Sequence, residues 1–275
     1  MRLALIQIKQ NELYQFQKSG IRYTPEEVRR YQADMVCRNR VLMQKAAGEG
    51  VDLIVTTEAV NFPGSPGKVE AEYMQFVPGM DDGIFTDFSE IAKSGHCYVA
   101  AGCFRKERCR GSLRLYNSVC FFDRDGRLDV VYDKIHLAGD ENEYLTEGRE
   151  YKVVDTDFGK VGMAVCWDMQ FPETCQHLSD MGADLIVAPT WGWEWIYGPC
   201  RAYENGVYVA SAMAVPYEMP IQGLRSPSEA ITPDGRILTR GSYTEEGIVL
   251  CEIRDICDCA ELRKMRREGR RNIDV

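Results

Sequence analysis

The sequence is notable first for what it lacks. No apolar run approaches the ~20 residues that cross a bilayer, so no membrane partner is expected. There is no Gly-rich phosphate loop and no dinucleotide fingerprint, so no nucleotide cofactor is implied. Histidine is scarce, with three in 275 residues. Cysteine is plentiful, with eleven, but the number is odd and no Cys-x-x-Cys pair occurs. Cys257-Asp-Cys259 is too closely spaced for a usual zinc knuckle. We expect neither a metal nor a cofactor. Basic charge is short as well: 33 Lys and Arg against 42 Asp and Glu give a net charge of −9. Without a basic face to displace counterions, nucleic acid is not an expected partner. The chain starts on the short strand-like Leu3-Ala-Leu-Ile-Gln-Ile8, not on a secretory apolar leader. The cysteines are therefore read as reduced thiols in a cytoplasm.

What is present is a repeat. Gly50-Val-Asp-Leu-Ile-Val-Thr-Thr-Glu58 matches Gly182-Ala-Asp-Leu-Ile-Val-Ala-Pro-Thr190. Each is a β-branched run of strand length that follows a helical stretch, roughly 26–49 and 173–181. Cys97-Tyr-Val-Ala-Ala-Gly102 echoes Val207-Tyr-Val-Ala-Ser-Ala212, after helical stretches near 87–94 and 195–205. Phe122-Asp-Arg-Asp-Gly-Arg-Leu128 echoes Ile231-Thr-Pro-Asp-Gly-Arg-Ile-Leu238, and Asp-Gly between apolar runs signals a hairpin. The order strand, helix, strand, helix, strand, hairpin thus occurs twice. It predicts an α/β fold: two sheets related by an internal pseudo-twofold, each covered by helices, in a four-layer αββα sandwich. No Pro- or Ser-rich linker divides the halves, so residues 1–275 are read as one domain. Residues 10–25 read as a loop, with Thr24-Pro-Glu-Glu opening a helix. The basic stretch Arg263–Arg271, broken by Glu268, makes 255–275 a tail at the surface or at a dimer interface.

Three reactive residue types stand at strand ends. Glu58 closes Leu53-Ile-Val-Thr-Thr-Glu, Lys134 follows Val130-Val-Tyr-Asp, and Cys166 closes Gly162-Met-Ala-Val and opens the turn Cys166-Trp-Asp. Taken singly, each has an ordinary reading: an edge residue, a solvated loop lysine, a small buried hydrophobe. Ligands in open α/β sheets bind beyond the carboxyl ends of strands, so the three can converge. A cysteine on a sharp strand-to-turn junction resembles a nucleophile elbow, where a helix N-terminus and open N–H groups favour thiolate. A carboxylate can take the thiol proton. A charged lysine, with the backbone N–H of Trp167, can stabilise an oxyanion. Acyl transfer through a thioester then follows, and water completes hydrolysis. A pair of Cys166 with His177 is disfavoured, because a spacing of eleven across the turn points the two apart.

With these motifs the chain resembles the nitrilase superfamily of carbon–nitrogen hydrolases. The resemblance is carried by Tyr132-Asp-Lys-Ile-His-Leu137, Val165-Cys-Trp-Asp-Met-Gln-Phe-Pro-Glu173, Arg201-Ala-Tyr-Glu-Asn-Gly-Val-Tyr-Val209 and the Pro233-Asp-Gly-Arg hairpin. It implies the αββα sandwich, a Glu58–Lys134–Cys166 triad, and a homodimer or higher homo-oligomer. It also implies a second glutamate that helps to position the lysine and substrate. Counting back from Gly148, Glu141 fits that place best, with Glu143 as the alternative. Two departures, Thr57 and Glu147 where relatives often have Pro, concern loop shape.

The substrate is expected to be a small linear amide or an N-carbamoyl amine. Relatives acting on dicarboxylic acid amides often have Arg four residues after the cysteine; here it is Gln170, which argues against a carboxylate on the substrate. Pro189-Thr-Trp-Gly-Trp-Glu-Trp195 lies where the family builds its pocket. Glu194 and Trp191 are expected to bind substrate, by charge and by cation–π contact with a neutral or cationic amine, although these tryptophans also suit a core. Two other roles fit the scaffold: an acyltransferase using the same thioester, and a non-catalytic interaction protein. The complete triad argues against the last.

Overall fold

The structure, a computed structural model, describes residues 1–11, 23–61, 76–109, 111–215 and 225–271. The loop read at 10–25 therefore lies largely outside the described residues, as do 272–275 of the tail.

The first half runs β1 (Arg2–Gln7), α1 (Pro25–Gly48), β2 (Leu53–Val55), α2 (Gly83–Gly95), β3 (Tyr98–Cys109), β4 (Ser112–Phe122) and β5 (Leu128–Asp133). The second runs β6 (Val153–Thr156), β7 (Gly159–Met163), α3 (Pro172–Asp180), β8 (Leu185–Thr190), α4 (Tyr197–Asn205), β9 (Tyr208–Met213), β10 (Glu229–Ile231) and β11 (Ile237–Arg240). β12 (Gly247–Glu252) and α5 (Ala260–Arg271) end the described chain. One sheet has the order β12-β1-β2-β3-β4-β5 and the other β6-β7-β8-β9-β10-β11. In each, three parallel strands lead into an antiparallel hairpin.

The duplication reaches individual hydrogen bonds. The Asp52 carboxylate accepts from the Arg2 N–H at 2.7 Å, and the Asp184 carboxylate from the Lys160 N–H at 2.8 Å. The Asp52 and Asp184 carbonyls accept from Tyr98 and Tyr208 N–H at 2.8 and 2.9 Å. Sequence reading missed the two edge strands. β6 pairs antiparallel with β7, and its counterpart β12 pairs antiparallel with β1. β12 therefore stitches the end of the second half onto the first sheet.

The four layers follow from strands that are apolar on both faces. Leu3, Leu5, Leu53 and Val55 meet Val161, Met163, Leu185 and Val187 between the sheets. The alternate residues Ala4, Ile6 and Ile54 pack on Met43 and Ala46 of α1 and on Phe88 and Ile91 of α2. Ile186 and Ala188 likewise pack with Leu178 of α3 and Ala202 of α4. Period-two alternation cannot distinguish two apolar faces, and each such buried side chain contributes about 1.5–3 kcal/mol.

Thr24 opens α1 with a reciprocal capping box. Its hydroxyl accepts from the Glu27 N–H at 3.2 Å, and Glu27 accepts from the Thr24 N–H at 2.8 Å. Among the described residues no helix is long and apolar enough to cross a membrane. The stretch read as a tail is largely the helix α5, packed near α4. Arg263 pairs with Asp184 at 2.6 Å, Arg270 bonds Asn205 at 2.8 Å, and Arg266 lies over the Tyr203 ring at 4.3 Å.

Candidate active site

β2, β5 and β7 end at one place. Glu58 stands three residues past β2, Lys134 directly after β5, and Cys166 three residues past β7. A close approach makes this possible. A methyl group added to Gly102 on β3 would lie 2.5 Å from the Thr57 carbonyl oxygen, 2.6 Å from Pro189 Cβ and 3.0 Å from Glu58 Cα. The missing side chain thus lets both sheets converge beneath Glu58. The turns are strained at the same place: Ala59 has φ +57° and Cys166 φ +44°, a region that costs most side chains energy and that clusters at functional sites.

Lys134 is the hub. It is 1% exposed, and its Nζ donates to Glu58 Oε1 at 3.1 Å and to both Glu141 oxygens at 3.1 and 2.9 Å. Burial alone lowers a lysine pKa, but the charges of Glu58, Glu141 and Cys166 outweigh it and hold the ammonium well above its ordinary range. Glu141 sits in a short 3-10 turn, Gly139–Glu143, and also accepts from the Ala138 N–H at 2.7 Å. Its carboxyl is raised, first by burial and then by the charge of Glu58, with Lys134 opposing. Glu143, the alternative, is exposed. Glu58 is 5% exposed and accepts from Asn117 Nδ2 at 2.6 Å and from the Trp191 N–H at 3.0 Å. The latter bond crosses from one sheet to the other.

Cys166 has its thiol pushed up to about 11, by burial first and then by the charge of Glu58. Lys134, the Thr190 side chain and the Trp191 N–H pull the other way without prevailing. This corrects the expectation of a resting thiolate. The element that Cys166 opens is a five-residue 3-10 turn, Cys166–Gln170, not a long helix, and its dipole does not overcome burial next to a carboxylate. The arrangement suits a thiol that surrenders its proton to Glu58 as it attacks. Trp167 is the second residue of that turn, where an N–H has no partner within the turn itself.

A buried carboxylate ties the lysine to the cysteine. Asp168 is fully buried and accepts from Tyr132 Oη at 2.7 Å, the Val165 N–H at 2.9 Å and the His136 N–H at 2.9 Å, with His136 Nδ1 at 3.0 Å. Tyr132 and His136 flank Lys134, and Val165 precedes Cys166.

The sequence profile of the carbon–nitrogen hydrolases matches residues 2–264. The chain belongs to the carbon–nitrogen hydrolase family, in the nitrilase superfamily. It is 31% identical over 254 residues to the omega-amidase NIT2 of Danio rerio, covering 86% of this chain and 88% of that protein. It is 30% identical over 249 residues to the omega-amidase NIT2 of Homo sapiens, with 84% and 87% covered. A carbon–nitrogen hydrolase from Helicobacter pylori shares the fold at TM-score 0.77 and 20% identity, over 100% of this chain and 95% of that one. An amidase from Nesterenkonia shares it at TM-score 0.71 and 22% identity, over 96% and 95%.

Against this family background the pocket residues divide. The ring of Trp191 packs in a hydrophobic cluster with Ile8, Phe104 and Leu115, so what it offers the cluster of reactive groups is its N–H. Trp193 is fully buried in another cluster and donates from Nε1 to Glu229 at 3.3 Å. Trp195 is exposed. The expected tryptophan face for a cation is therefore largely spent on the core. Gln170 is exposed and accepts a hydrogen bond from Tyr197 Oη. The Tyr197 hydroxyl is pushed up to about 12, by burial first and then by the charges of Glu194 and Cys166. His177 stacks on Tyr151 with ring centroids 5.0 Å apart and takes no part in the cluster.

Sequence reading missed Asn117, Thr190, Tyr197 and Asp168. Asp168 and His136 stand inside the quoted motifs, two residues after Cys166 and Lys134, and that matched spacing was the available signal.

Proposed function

We propose that this carbon–nitrogen hydrolase cleaves the C–N bond of a small linear amide through a thioester on Cys166. The observation that carries the reading is a fully buried ammonium, held by two carboxylates, beside a cysteine on a strained turn. A scaffold has no physical use for that set, because burying an ion triad is costly without function to retain it.

In the proposed sequence, the Cys166 proton moves to Glu58 as sulfur attacks the amide carbon. The resulting oxyanion is met by the Lys134 ammonium and the Trp167 N–H. Glu58 returns the proton to the leaving nitrogen, the C–N bond breaks, and ammonia departs. Water then gives a proton to Glu58 and attacks the thioester carbon. The C–S bond breaks, the acid leaves, and the proton returns to sulfur. Glu141 keeps Lys134 in place throughout. Relatives named omega-amidase and an amidase of the same fold support the amide reading.

The test is a product-resolved assay with Cys166→Ala as the control. One ammonia per carboxylic acid, no carbon dioxide and no turnover by the variant are expected. Full activity in the variant sinks the reading. Carbon dioxide released together with ammonia would instead mark an N-carbamoyl amine as substrate, and transfer to added hydroxylamine an acyltransferase.

A further inference from the structure

Asn117 holds Glu58 with its side chain and Lys134 with its main chain. It lies on β4, is 1% exposed, and interrupts a strand whose neighbours Leu115, Val119 and Phe121 are apolar and buried. Its Nδ2 donates to Glu58 Oε1 at 2.6 Å, and its carbonyl accepts from the Lys134 N–H at 2.8 Å. Its own Oδ1 is buried with no hydrogen-bond partner among the described residues. A buried amide with an orphaned oxygen carries a cost that an apolar side chain of the same branching avoids. Packing alone does not account for this amide; its bond to Glu58 does.

The two Glu58 oxygens are not equivalent. Oε1 accepts from Asn117 Nδ2 at 2.6 Å and from Lys134 Nζ at 3.1 Å. A carboxylate oxygen has two lone pairs in its plane, so Oε1 is filled. Among the described residues Oε2 accepts from the Trp191 N–H alone, at 3.0 Å, and keeps one lone pair. The same Trp191 N–H bonds the Cys166 side chain, so Oε2 and Sγ share one donor. A proton on Oε1 would aim an O–H at two donors. A proton on Oε2 leaves Oε1 as a carbonyl oxygen that still accepts from both. The Trp191 N–H then turns to the sulfur that has just lost its proton.

We propose that Asn117 is a positioning residue: by filling Oε1 together with Lys134, it directs the Cys166 proton to Glu58 Oε2. The proposal rests on the thioester reading for its chemistry. On attack the S–H bond breaks and an Oε2–H bond forms, while sulfur bonds the amide carbon and the carbonyl electron pair moves to oxygen. Oε2 then gives that proton to the leaving nitrogen as the C–N bond breaks. Water reloads the same oxygen in the second half of the cycle. Without Asn117, Oε1 regains a free lone pair and the proton has two places to land. One of them lies away from the donor that Oε2 shares with sulfur.

The experiment compares wild type with Asn117→Leu, which removes the donor, and Asn117→Asp, which keeps the shape. Steady-state kinetics are followed from about pH 5 to pH 10, with urea unfolding as the check on folding. Asn117→Leu is expected to lower kcat by roughly 10–100-fold with KM within about twofold. It should also move the acidic limb of kcat/KM to higher pH, because a carboxylate that loses a donor holds its proton more tightly. Asn117→Asp donates to Oε1 only while the two carboxyls share a proton. Its rate should fall as pH rises across the range where wild type is level, and this profile decides if Asn117→Leu fails to fold. A merely structural role would lower the rate and leave both profiles like that of wild type, which overturns the proposal. Wild-type kcat in Asn117→Leu overturns it as well. Alkylation of Cys166 by iodoacetamide needs no amide, and it should slow in Asn117→Leu because the same proton must leave sulfur. If wild type cleaves no amide while Asn117→Leu slows alkylation, the proton path stands and the amidase reading falls. If amides are cleaved and Asn117→Leu changes neither rate, the amidase reading stands and the proposal falls.

Discussion

Replacing Asp168 with Asn tests how the lysine and the cysteine are held in register. Each oxygen of this buried carboxylate faces two groups: Tyr132 Oη and the Val165 N–H on Oδ2, the His136 N–H and His136 Nδ1 on Oδ1. An amide of the same shape keeps only one oxygen. The Tyr132 hydroxyl can rotate and His136 can change tautomer, but a backbone N–H can do neither. Whichever way the amide is turned, one fixed N–H meets an NH2 group. A hydrogen bond to a charged acceptor is worth about 1.5–3 kcal/mol, and an orphaned buried donor costs about 1–3 kcal/mol. Asp168→Asn should therefore lower stability by about 2–4 kcal/mol, within the ~5–15 kcal/mol of a typical domain. The folded protein should still shift Tyr132, His136 and Val165, and with them Lys134 relative to Cys166. A displacement near 1 Å costs about 100-fold in rate. Urea unfolding gives the stability loss, and kcat on the amide that wild type turns over best, measured well below the transition, gives the second effect. A variant that is destabilised by that amount yet turns over at the wild-type kcat would show that Asp168 supports the fold without setting the register. Wild-type values in both measurements would refute the bonding argument itself.

Gly102→Ala should cost about 1–3 kcal/mol through overpacking and should lower amidase kcat more than tenfold, because the added methyl meets the Thr57 carbonyl and Glu58 Cα; an active, stable variant would show that the strand ends can separate freely. Glu141→Gln should lower kcat by about 100-fold with little change in KM, since it removes one of two anions that hold the Lys134 ammonium; steady-state kinetics decide. Peptide-resolved alkylation by iodoacetamide should show Cys166 still gaining reactivity above pH 9, toward about 11, whereas an unperturbed thiol levels off after ~8.5; a plateau near pH 7 would mean a resting thiolate. Burial also pushes Cys97 and Cys251 up to about 11 and Cys175 and Cys259 up to about 12. The unfolded chain loses these protons first, so stability is fully present below pH 9 and declines as pH rises through 9–12. A Tm unchanged between pH 8 and pH 10.5 would contradict this.

The cluster of Glu58, Lys134 and Cys166 was legible because duplication marks its places. Glu58 and the Thr190–Trp191 pair end matched strands of the two halves, and Lys134 and Cys166 interrupt apolar runs with groups that no core needs. Glu141 was legible only through resemblance to a family, since nothing local distinguishes it from Glu143; a buried ammonium selects between them by burying one and leaving the other in solvent. The tryptophans of 191–195 misled because an aromatic run reads alike for a pocket wall and a core. Trp191 and Trp193, just past β8, turn into separate clusters.

Sequence alone determined the order of the strands and helices that the repeat marks, the repeat itself and the three reactive residues, because apolar periodicity and Asp-Gly turns are local properties. Tertiary structure alone decided the rest. It set β12 against β1, brought the Trp191 N–H from one sheet to Glu58 beneath the other, and raised the Cys166 thiol. Each of these depends on segments far apart in the chain, and burial and charge act through space, where sequence position gives no measure of distance.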